Sequence, residues 1–574
     1  MFRVNPSRCA AGLIVAALAG SAMAQQRAPD AGRVLEDSRT GGAPQPPRPA
    51  PRLELQEPVR PALTAPDSFR VLVKGFRVTR ASVFAEADLT ALLKDYVGRE
   101  LSLADLEEAA ALITRYYRDR GYFVARAYVP AQEIRDGIVE ITVLEGRLGA
   151  VKLFVPEGRR SETSPRLVRG MISANQPPGS VIRSDGLERG LLLLSDTPGI
   201  AARATLAPGE EPGTSDLTVD VADSPVLTGS ADLDNFGNRY TGAFRLGGTA
   251  FLNSPAGLGD VVSARIQASQ GSQNGRLGYQ IPLGYRGLRV GAALSHVQYK
   301  LCCDFKSLDA KGTGTDFTAT GQYPFVRSRN SNLYGSLAAS AKRFSDDSID
   351  KSSDRTVRSA ILGLSGDSRD SAGGGGLNAY SIAYTNGKLD LLLESELSQD
   401  QQSGQNKNGS YSKTNYALSR LQRLGFATSL YLSLSGQTAS KNLDSSEQFA
   451  LGGPYGVRGY PTGEAIGDQG MLATVEGRWQ FQDNWQAALF YDRGQILLHK
   501  NEWPGWQGSN TTITNSYSLS GTGVSLDYSR PGRALVRLML AMKLGTNPGA
   551  DANGNDADGN DSKFRGWIQG ILYF

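Results

Sequence analysis

Cysteine and histidine are scarce in this chain, which limits the chemistry that it can carry out. The 574 residues include three cysteines and two histidines. Cys302 and Cys303 are adjacent and therefore poorly placed to bond each other, while His296 and His499 are far apart in the sequence and lack metal-binding neighbours. Because no GxSxG or Walker motif is present either, we expect no enzyme, no metal site and no cofactor.

Long hydrophobic runs are also absent after the first residues, and the mean hydropathy is −0.30. A membrane-spanning helix needs about 18 or more consecutive apolar residues, so this absence excludes a helical membrane protein. A β-barrel is compatible with it, because each strand needs only about 9–11 residues, every second one apolar. The formal net charge of +4 gives no indication of a nucleic-acid partner.

Residues 1–24 have the three parts of a secretory signal peptide. Positive charge from Arg3 and Arg8 precedes an apolar run over residues 10–19, and the segment ends on the small-residue sequence AMA. We therefore expect cleavage after Ala24 and a location outside the cytoplasm.

Residues 25–68 are rich in proline and arginine and contain too few apolar residues to build a core. The run PQPPRP at residues 44–49 predicts a semi-extended linker. Residues 31–39 favour a short helix, which would be marginal in isolation, and a disordered tail is the alternative.

Residues 69–148 predict the order strand, helix, helix, strand, strand. Ser102 and Asp105 have the spacing of a capping box, and Gly121 is placed to end the helix that they begin. Its apolar residues recur at steps of three and four, which predicts one buried face: Leu103, Leu106, Ala110, Ile113 and Tyr117. Two alternating strands are predicted next, over residues 122–130 and 137–145.

The same order returns in residues 149–223, which indicates a diverged internal repeat. Its predicted elements are a strand over 151–155, helices over 166–172 and 187–194, and strands over 202–206 and 217–221. Each copy resembles a POTRA domain, the periplasmic module that precedes some outer-membrane barrels, in this order of elements, and the first copy also in the sequences GY at 121–122 and EGR at 145–147. The open edge of such a sheet can accept an extended client as an added strand.

From residue 224 to Phe574 short alternating strands are separated by Gly, Ser, Asn and Asp. Val536, Leu538 and Leu540 share one face of a strand, whereas Arg537 lies on the other. An apolar outer face and a charged interior are typical of a membrane barrel with a wet lumen. We expect the first barrel strand near residues 230–235 and expect Phe574, at the end of the last strand, to pair with it and remove the open edge.

The stretch LGGPYGVRGY at residues 451–460, followed by GDQG at 467–470, resembles the VRGY segment of the TpsB transporters of bacterial two-partner secretion. In that family the segment lies on a long loop that folds back into the lumen of an outer-membrane barrel. The spacing Phe490-x-Asp492-x-Gly494 resembles the inward-facing strand motif that this loop meets.

The resemblance implies an all-β transmembrane barrel of about 16 antiparallel strands after two small α+β POTRA domains, in the outer membrane of a Gram-negative bacterium. The implied function is export of a large secreted client protein of the TpsA type, with the POTRA domains in the periplasm recognising it and the loop gating the pore. Outer-membrane lipids and, during insertion, the barrel-assembly machinery are the other implied partners. A barrel-assembly insertase, a passive porin and an outer-membrane enzyme remain the alternatives.

The resemblance also implies the site residues. The lumenal loop would span about residues 445–470, and Asp492, which strand parity places inside the barrel, would bind Arg458. An arginine suits this task because its planar guanidinium makes two bonds to a carboxylate. The short helix over residues 31–39 would be the N-terminal helix that plugs the barrel in this family, with a disordered tail as the alternative. The implied residues are Val457, Arg458, Gly459, Tyr460 and Asp492 for the latch, Phe490 and Gly494 for the barrel wall, and Phe574 for the C-terminal assembly signal.

The acidic stretch DANGND at residues 551–556 suggests calcium, but Asp556 and Ser562 replace the glycine and glutamate that a calcium loop requires. We therefore predict a solvated loop between the last two strands. Trp503 and Trp506 are predicted to belong to an outer aromatic girdle or loop.

Overall fold

The computed structural model describes residues 28–39, 52–55, 70–154, 164–223, 225–507 and 513–574. The predicted signal peptide lies outside these residues, as does most of the proline-rich segment. No helix within the described ranges is long and apolar enough to cross a membrane.

Helices and strands alternate only in the first part of the chain. The α-helices are α1 (Ala31–Arg39), α2 (Glu86–Ala91), α3 (Leu103–Asp119), α4 (Pro165–Asn175), α5 (Ser184–Ser195) and α6 (Glu394–Ser403). The strands before the barrel are β1 (Arg52–Leu55), β2 (Val71–Leu72), β3 (Gly75–Thr79), β4 (Glu100–Leu101), β5 (Arg126–Tyr128), β6 (Ile138–Leu144), β7 (Arg147–Phe154), β8 (Ile200–Pro208) and β9 (Thr214–Asp223).

The remaining strands form the barrel and the base of one loop. The barrel strands are β10 (Leu227–Asp234), β11 (Arg245–Asn253), β12 (Val261–Ser269), β13 (Ser272–Pro282), β14 (Arg289–Lys300), β15 (Lys311–Arg327), β16 (Ser331–Asp347), β17 (Ser352–Asp370), β18 (Gly376–Leu391), β19 (Gly409–Arg423), β20 (Thr428–Ala439), β23 (Gln469–Gln482), β24 (Trp485–Leu497), β25 (Ser516–Arg530), β26 (Ala534–Leu544) and β27 (Phe564–Tyr573). Two short strands, β21 (Phe449–Ala450) and β22 (Ile466–Gly467), pair with each other inside the loop between β20 and β23.

The first module, residues 69–148, is a sheet of order β3-β6-β5 with α2 against β3 and α3 against β5. The predicted capping box is confirmed, because Asp105 N donates to Ser102 Oγ at 3.2 Å and Ser102 N donates to Asp105 Oδ2 at 2.8 Å. The predicted inner face of α3 is buried from Leu106 to Tyr117, whereas Leu103 at its start is only half-buried.

The strand predicted over residues 122–130 was too long, since β5 spans only Arg126–Tyr128. Tyr122 N donates back to Tyr117 O at 3.1 Å, and the Tyr122 ring packs edge-on against Phe84 with centroids 5.7 Å apart. The chain therefore turns on an aromatic cluster after the helix instead of extending at once.

A buried carboxylate, Glu145, fastens the end of the first module. It accepts hydrogen bonds from Ser82 N at 2.6 Å, Val83 N at 2.8 Å and Tyr117 Oη at 2.9 Å, and a further one from the Ser82 hydroxyl. Burial alone would raise the pKa of Glu145, but these donors outweigh it and hold the pKa below its usual value. The ionised carboxylate therefore stabilises the folded module.

The variant Glu145→Gln is expected to destabilise the first module by about 1–3 kcal/mol at pH 7, because two backbone donors lose a charged acceptor. The folded-state pKa lies below the unfolded value of about 4.3, so this stabilisation is present at neutral pH and disappears as the pH falls through that range. Hydrogen exchange of the α3 amides, corrected for intrinsic pH dependence, should show the difference from wild type at pH 7 and a smaller one near pH 3. Glu133→Gln, at an exposed position, is the control; equal effects of both variants would contradict the assignment.

The second module, residues 149–223, repeats the order strand, helix, helix, strand, strand, as predicted. Strands β8 and β9 are longer than the predicted strands over residues 202–206 and 217–221. Backbone pairing between them continues along the whole length of β8. The sheet has the order β1-β8-β9-β7. Its first strand, β1, comes from the proline-rich segment and pairs in parallel with β8, from Arg52 opposite Arg203 to Leu55 opposite Leu206.

The second module rests on connections at one end of the barrel. Arg327, at the end of β15, donates from Nε and Nη2 to the two carboxylate oxygens of Asp196, at 2.7 and 2.8 Å. Ser164 N donates to Gly257 O at 3.2 Å, and the Arg189 guanidinium donates to Pro324 O at 2.5 Å. This end of the barrel therefore faces the compartment that contains the modules.

Sixteen antiparallel strands close into a barrel through the pairing of β10 with β27. The predicted faces are confirmed: Leu538, Leu540 and Ile568 are exposed on the outside, whereas Gln569 is buried within. The predicted closure by Phe574 is present as well, with hydrogen bonds in both directions between its backbone and that of Gly229.

The acidic connection between β26 and β27 is not simply solvated, which corrects the prediction. Asp556 and Asp558 are buried, with Asp556 bound to Lys543 at 2.7 Å and Asp558 to Arg565 at 2.8 Å. Both cations belong to the inner faces of the neighbouring strands, so the connection folds inward to neutralise them. Among the described residues no group of His, Cys, Asp and Glu is arranged to hold a metal ion.

Candidate functional site

The lumenal loop, residues 440–468 between β20 and β23, brings the sequence-predicted residues together inside the barrel. Val457 and Tyr460 are fully buried and belong to one apolar cluster that includes Leu451 from the loop and Ile496 from the wall. Gly459 lies against β26, where an added Cβ would stand 3.0 Å from backbone atoms. A larger residue there would push the loop away from the wall.

Arg458 is the centre of the site. Its Nε and one terminal nitrogen donate to the two carboxylate oxygens of Asp492, at 2.8 and 2.7 Å, and its backbone N–H adds a third bond at 3.2 Å. The guanidinium carbon lies 3.4 Å from the centroid of the Phe490 ring. The structure thus brings together Arg458 and Asp492, the pair that the family resemblance implies, and β24 supplies both Asp492 and Phe490 from its inner face.

A second carboxylate, which sequence reasoning did not assign to the site, completes the cradle. Glu476 on β23 accepts from the remaining terminal nitrogen of Arg458 at 2.7 Å and is itself held by Arg478 at 2.6 Å. The register places Glu476 of β23 directly opposite Phe490 of β24, so both side chains meet Arg458 from adjacent strands. The alternation of apolar and polar residues along β23 is enough to turn Glu476 inward, but only the strand register shows that it reaches Arg458.

Gly494 has a packing role at the same wall. An added Cβ would lie 2.5 Å from the Leu451 side chain, so the absence of a side chain makes room for the loop. Trp567 on β27 was also missed by sequence reasoning: its indole Nε1 donates to the Arg458 carbonyl at 2.9 Å. Arg458 is thus bound through both its side chain and its backbone.

Helix α1 also lies within the barrel, against β14, β15 and β16 and the short turn at residues 445–447. Asp30, just before the helix, binds Arg355 of β17 at 2.8 Å, and Ala31 N donates to Asp346 at 2.8 Å. Arg39, at the other end, pairs with Asp316 of β15. A cavity of about 370 Å³ remains between this helix and the lumenal loop.

The other candidates do not assemble into a site. His296 is exposed on the outside of β14, whereas His499 is buried between the rings of Trp503 and Trp506, 4.4 and 5.5 Å away, in the connection after β24. The tryptophans therefore belong to a loop, one of the two predicted locations.

A lumen filled by an anchored loop and a helix distinguishes this barrel from an open pore, and comparison with known families identifies it. The model of the haemolysin secretion/activation proteins ShlB/FhaC/HecB matches residues 213–563, and that of the ShlB-type POTRA domain matches residues 71–146. The chain belongs to this family. It is an outer-membrane transporter of two-partner secretion, whose members export large secreted partner proteins, and its POTRA domains lie in the periplasm.

Individual members of such families are similar to this chain over most of its length. The heme/hemopexin transporter protein HuxB of Haemophilus influenzae strain 86-028NP is 29% identical over 80% of this chain and 81% of its own length. The outer membrane transporter CdiB of Dickeya dadantii is 24% identical over 75% and 77%. The solved structure of CdiB from Escherichia coli has the same fold, with a TM-score of 0.67, 20% identity, and 90% of this chain and 93% of that one covered.

Proposed function

We propose that the lumenal loop gates the export pore and that Arg458 holds the loop in its resting position. The observation that carries this proposal is the environment of one side chain: Arg458 binds two carboxylates, Asp492 and Glu476, and stacks on Phe490. A loop without a positional role would need no such anchorage. The proposal requires that client export be lost, with the barrel still folded in the membrane, when the guanidinium is removed.

The energy of this contact suits a releasable latch. Arg458 is 7% exposed and Asp492 is fully buried, so breaking the pair leaves an uncompensated charge at a cost of about 3–5 kcal/mol. That is enough to keep the loop in place for more than about 99% of the time, since each 1.4 kcal/mol is a factor of ten. A client that binds only when the loop is displaced shifts this equilibrium by about 4 kcal/mol when its concentration is about 1,000 times its dissociation constant, which is comparable to the cost of breaking the pair.

The proposal assigns helix α1 the role of a plug. Supporting it are the ionic contacts at both ends of the helix, to Arg355 and to Asp316. Arg355 also binds Asp444 of the lumenal loop at 2.7 Å, so the plug and the loop share one cation.

The POTRA domains are proposed to recognise the client by adding it as a strand to a sheet edge. The edge formed by β8 is the candidate, because it already accepts β1 in parallel register. Leu53 of β1 packs on the apolar core of the second POTRA domain, which shows the kind of side chain that this edge accommodates. In the resting protein β1 therefore occupies the place of the client.

The double variant Leu53→Pro, Glu54→Pro is expected to raise client affinity for the full-length transporter about tenfold, because proline lacks the N–H that a strand ladder needs and β1 would leave β8. Fluorescence titration with an N-terminal client fragment measures the dissociation constant. Gln45→Pro, in a run already rich in proline and outside β1, is the matched control. Equal affinities of all three proteins would remove the β8 edge as the docking site.

The outer surface and the C-terminus complete the proposed function. The apolar residues exposed on the barrel, including Leu538 and Ile568, are proposed to contact outer-membrane lipids. Phe574 is proposed to serve as the assembly signal for the insertion machinery before its backbone pairs with Gly229.

A further inference from the structure

The pairing of the first and last barrel strands, here called the seam, is short. It joins Ser230–Asp234 of β10 to Gln569–Tyr573 of β27, five residue pairs that the backbone bonds between Gly229 and Phe574 extend at one end, whereas β10 forms eight pairs with β11 and β27 forms nine with β26. At the other end the backbone N–H of Asn235 donates to Ile568 O at 3.2 Å, and the side-chain oxygen of Asn235 accepts from Ile568 N at 2.8 Å. Because the seam has fewer residue pairs than the neighbouring ladders, contacts from elsewhere would add to its stability.

The lumenal loop provides such contacts to the last strand. Trp567 of β27 points inward and is 5% exposed, and its Nε1 donates to the carbonyl of Arg458 at 2.9 Å. Its ring meets that of Phe236 edge-on, with centroids 5.9 Å apart, and Phe236 meets Tyr455 of the loop in the same way at 5.6 Å. The three rings therefore form a continuous contact from β27 through the end of β10 to the loop.

The same loop is bonded to the first strand's end independently of Trp567. Thr462 Oγ1 donates to the carbonyl of Phe236 at 2.9 Å, and Asn238 Nδ2 donates to the carbonyl of Thr462 at 3.2 Å. Phe236 and Asn238 lie two and four residues after the end of β10. One loop thus holds both strands that close the barrel, β27 through one hydrogen bond and the end of β10 through two.

We infer that the lumenal loop fastens the seam, with Trp567 and Thr462 as the positioning residues that tie it to β27 and to the end of β10. When the loop is in place, the ends of these strands are linked through it in addition to their own ladder. When it leaves, both links are lost together and the seam keeps only its short ladder. This role concerns the barrel wall and does not depend on whether the loop gates export.

The test is hydrogen exchange of full-length Trp567→Phe in lipid nanodiscs, followed by mass spectrometry of the seam peptides. Phenylalanine keeps an aromatic ring but removes the indole donor, leaving the Arg458 carbonyl without it. Loss of a buried hydrogen bond of this kind should accelerate exchange of the seam amides, residues 229–235 and 566–574, about tenfold. The β16–β17 ladder, the longest in the barrel, is the internal reference and should be unchanged.

Two further variants make the result specific. Trp479→Phe, at an exposed position on the outside of β23, should leave the seam as in wild type. Thr462→Val removes the hydroxyl bond to the Phe236 carbonyl, while the bond from Asn238 to the Thr462 carbonyl stays, and it should accelerate the same peptides. This variant keeps the test available if Trp567→Phe does not fold. Unchanged seam exchange in the Trp567 or Thr462 variant, or equal acceleration of seam and β16–β17 amides, would overturn the inference. Because export is not measured, these outcomes are separate from those that test gating.

Discussion

Replacing Arg458 by alanine is expected to reduce client export by about tenfold or more while the barrel remains inserted and heat-modifiable. The change leaves Asp492, which is fully buried, and Glu476 without their shared cation. Removing one partner of a buried ion pair costs about 3–5 kcal/mol, because it leaves the other charge buried and uncompensated. The loop would then leave its resting position without a client and would no longer respond to one.

The variant Arg458→Lys separates geometry from charge. Lysine keeps the positive charge, but its single ammonium cannot span Asp492 and Glu476 as the planar guanidinium does, nor stack in the same way on Phe490. We expect export between that of wild type and Arg458→Ala. Secretion is measured as client released into the medium relative to inserted barrel.

The matched control is Arg493→Ala. Arg493 is the neighbour of Asp492 on β24, but its side chain is exposed on the outside of the barrel. Export by this variant should equal that of wild type. Export by Arg458→Ala at the wild-type level would contradict the latch, and equal losses in both variants would show that the effect comes from barrel assembly instead.

Much of the site was predictable because strands have a strict period of two. Parity places Asp492 and Glu476 inside the barrel from the sequence alone, and the exposed Leu538 and Ile568 confirm the same rule elsewhere. What parity cannot supply is the register between strands, which is fixed by connections and by the shear of the closed barrel. The contacts of Glu476 and Trp567 with Arg458 depend on that register, and both were missed.

Two predictions from local composition were wrong, the solvated connection between β26 and β27 and the long strand over residues 122–130, and tertiary contacts explain both. The connection containing Asp556 has the composition of a solvated loop, but cations on the inner faces of β26 and β27, among them Lys543, draw it into the lumen. Tyr122 has a high preference for strands, yet the ring of Phe84 holds it in a turn. In both places tertiary contacts decide against local composition.

The second large effect is expected from Arg355→Ala, which should open the pore in the absence of client. Arg355 is 3% exposed and binds three carboxylates: Asp30 before the plug helix at 2.8 Å, Asp346 of the wall at 2.6 Å and Asp444 of the loop at 2.7 Å. Without the guanidinium, three like charges converge on the start of the helix. Their repulsion, together with the lost attraction, favours departure of the helix from the lumen.

Planar-bilayer recordings measure this directly as the fraction of time in the conducting state, which should rise about tenfold or more. Because Asp346 and Asp444 are mostly buried, salt should screen their repulsion little, and the rise should persist at about 1 M KCl. Arg358→Ala is the matched control, since Arg358 lies on the same strand, is exposed and pairs only with the outer carboxylate of Asp390 among the described ion pairs. Conductance of Arg355→Ala equal to that of Arg358→Ala would show that the helix is held by its other contacts, Asp316 foremost, and that Arg355 does not control the plug.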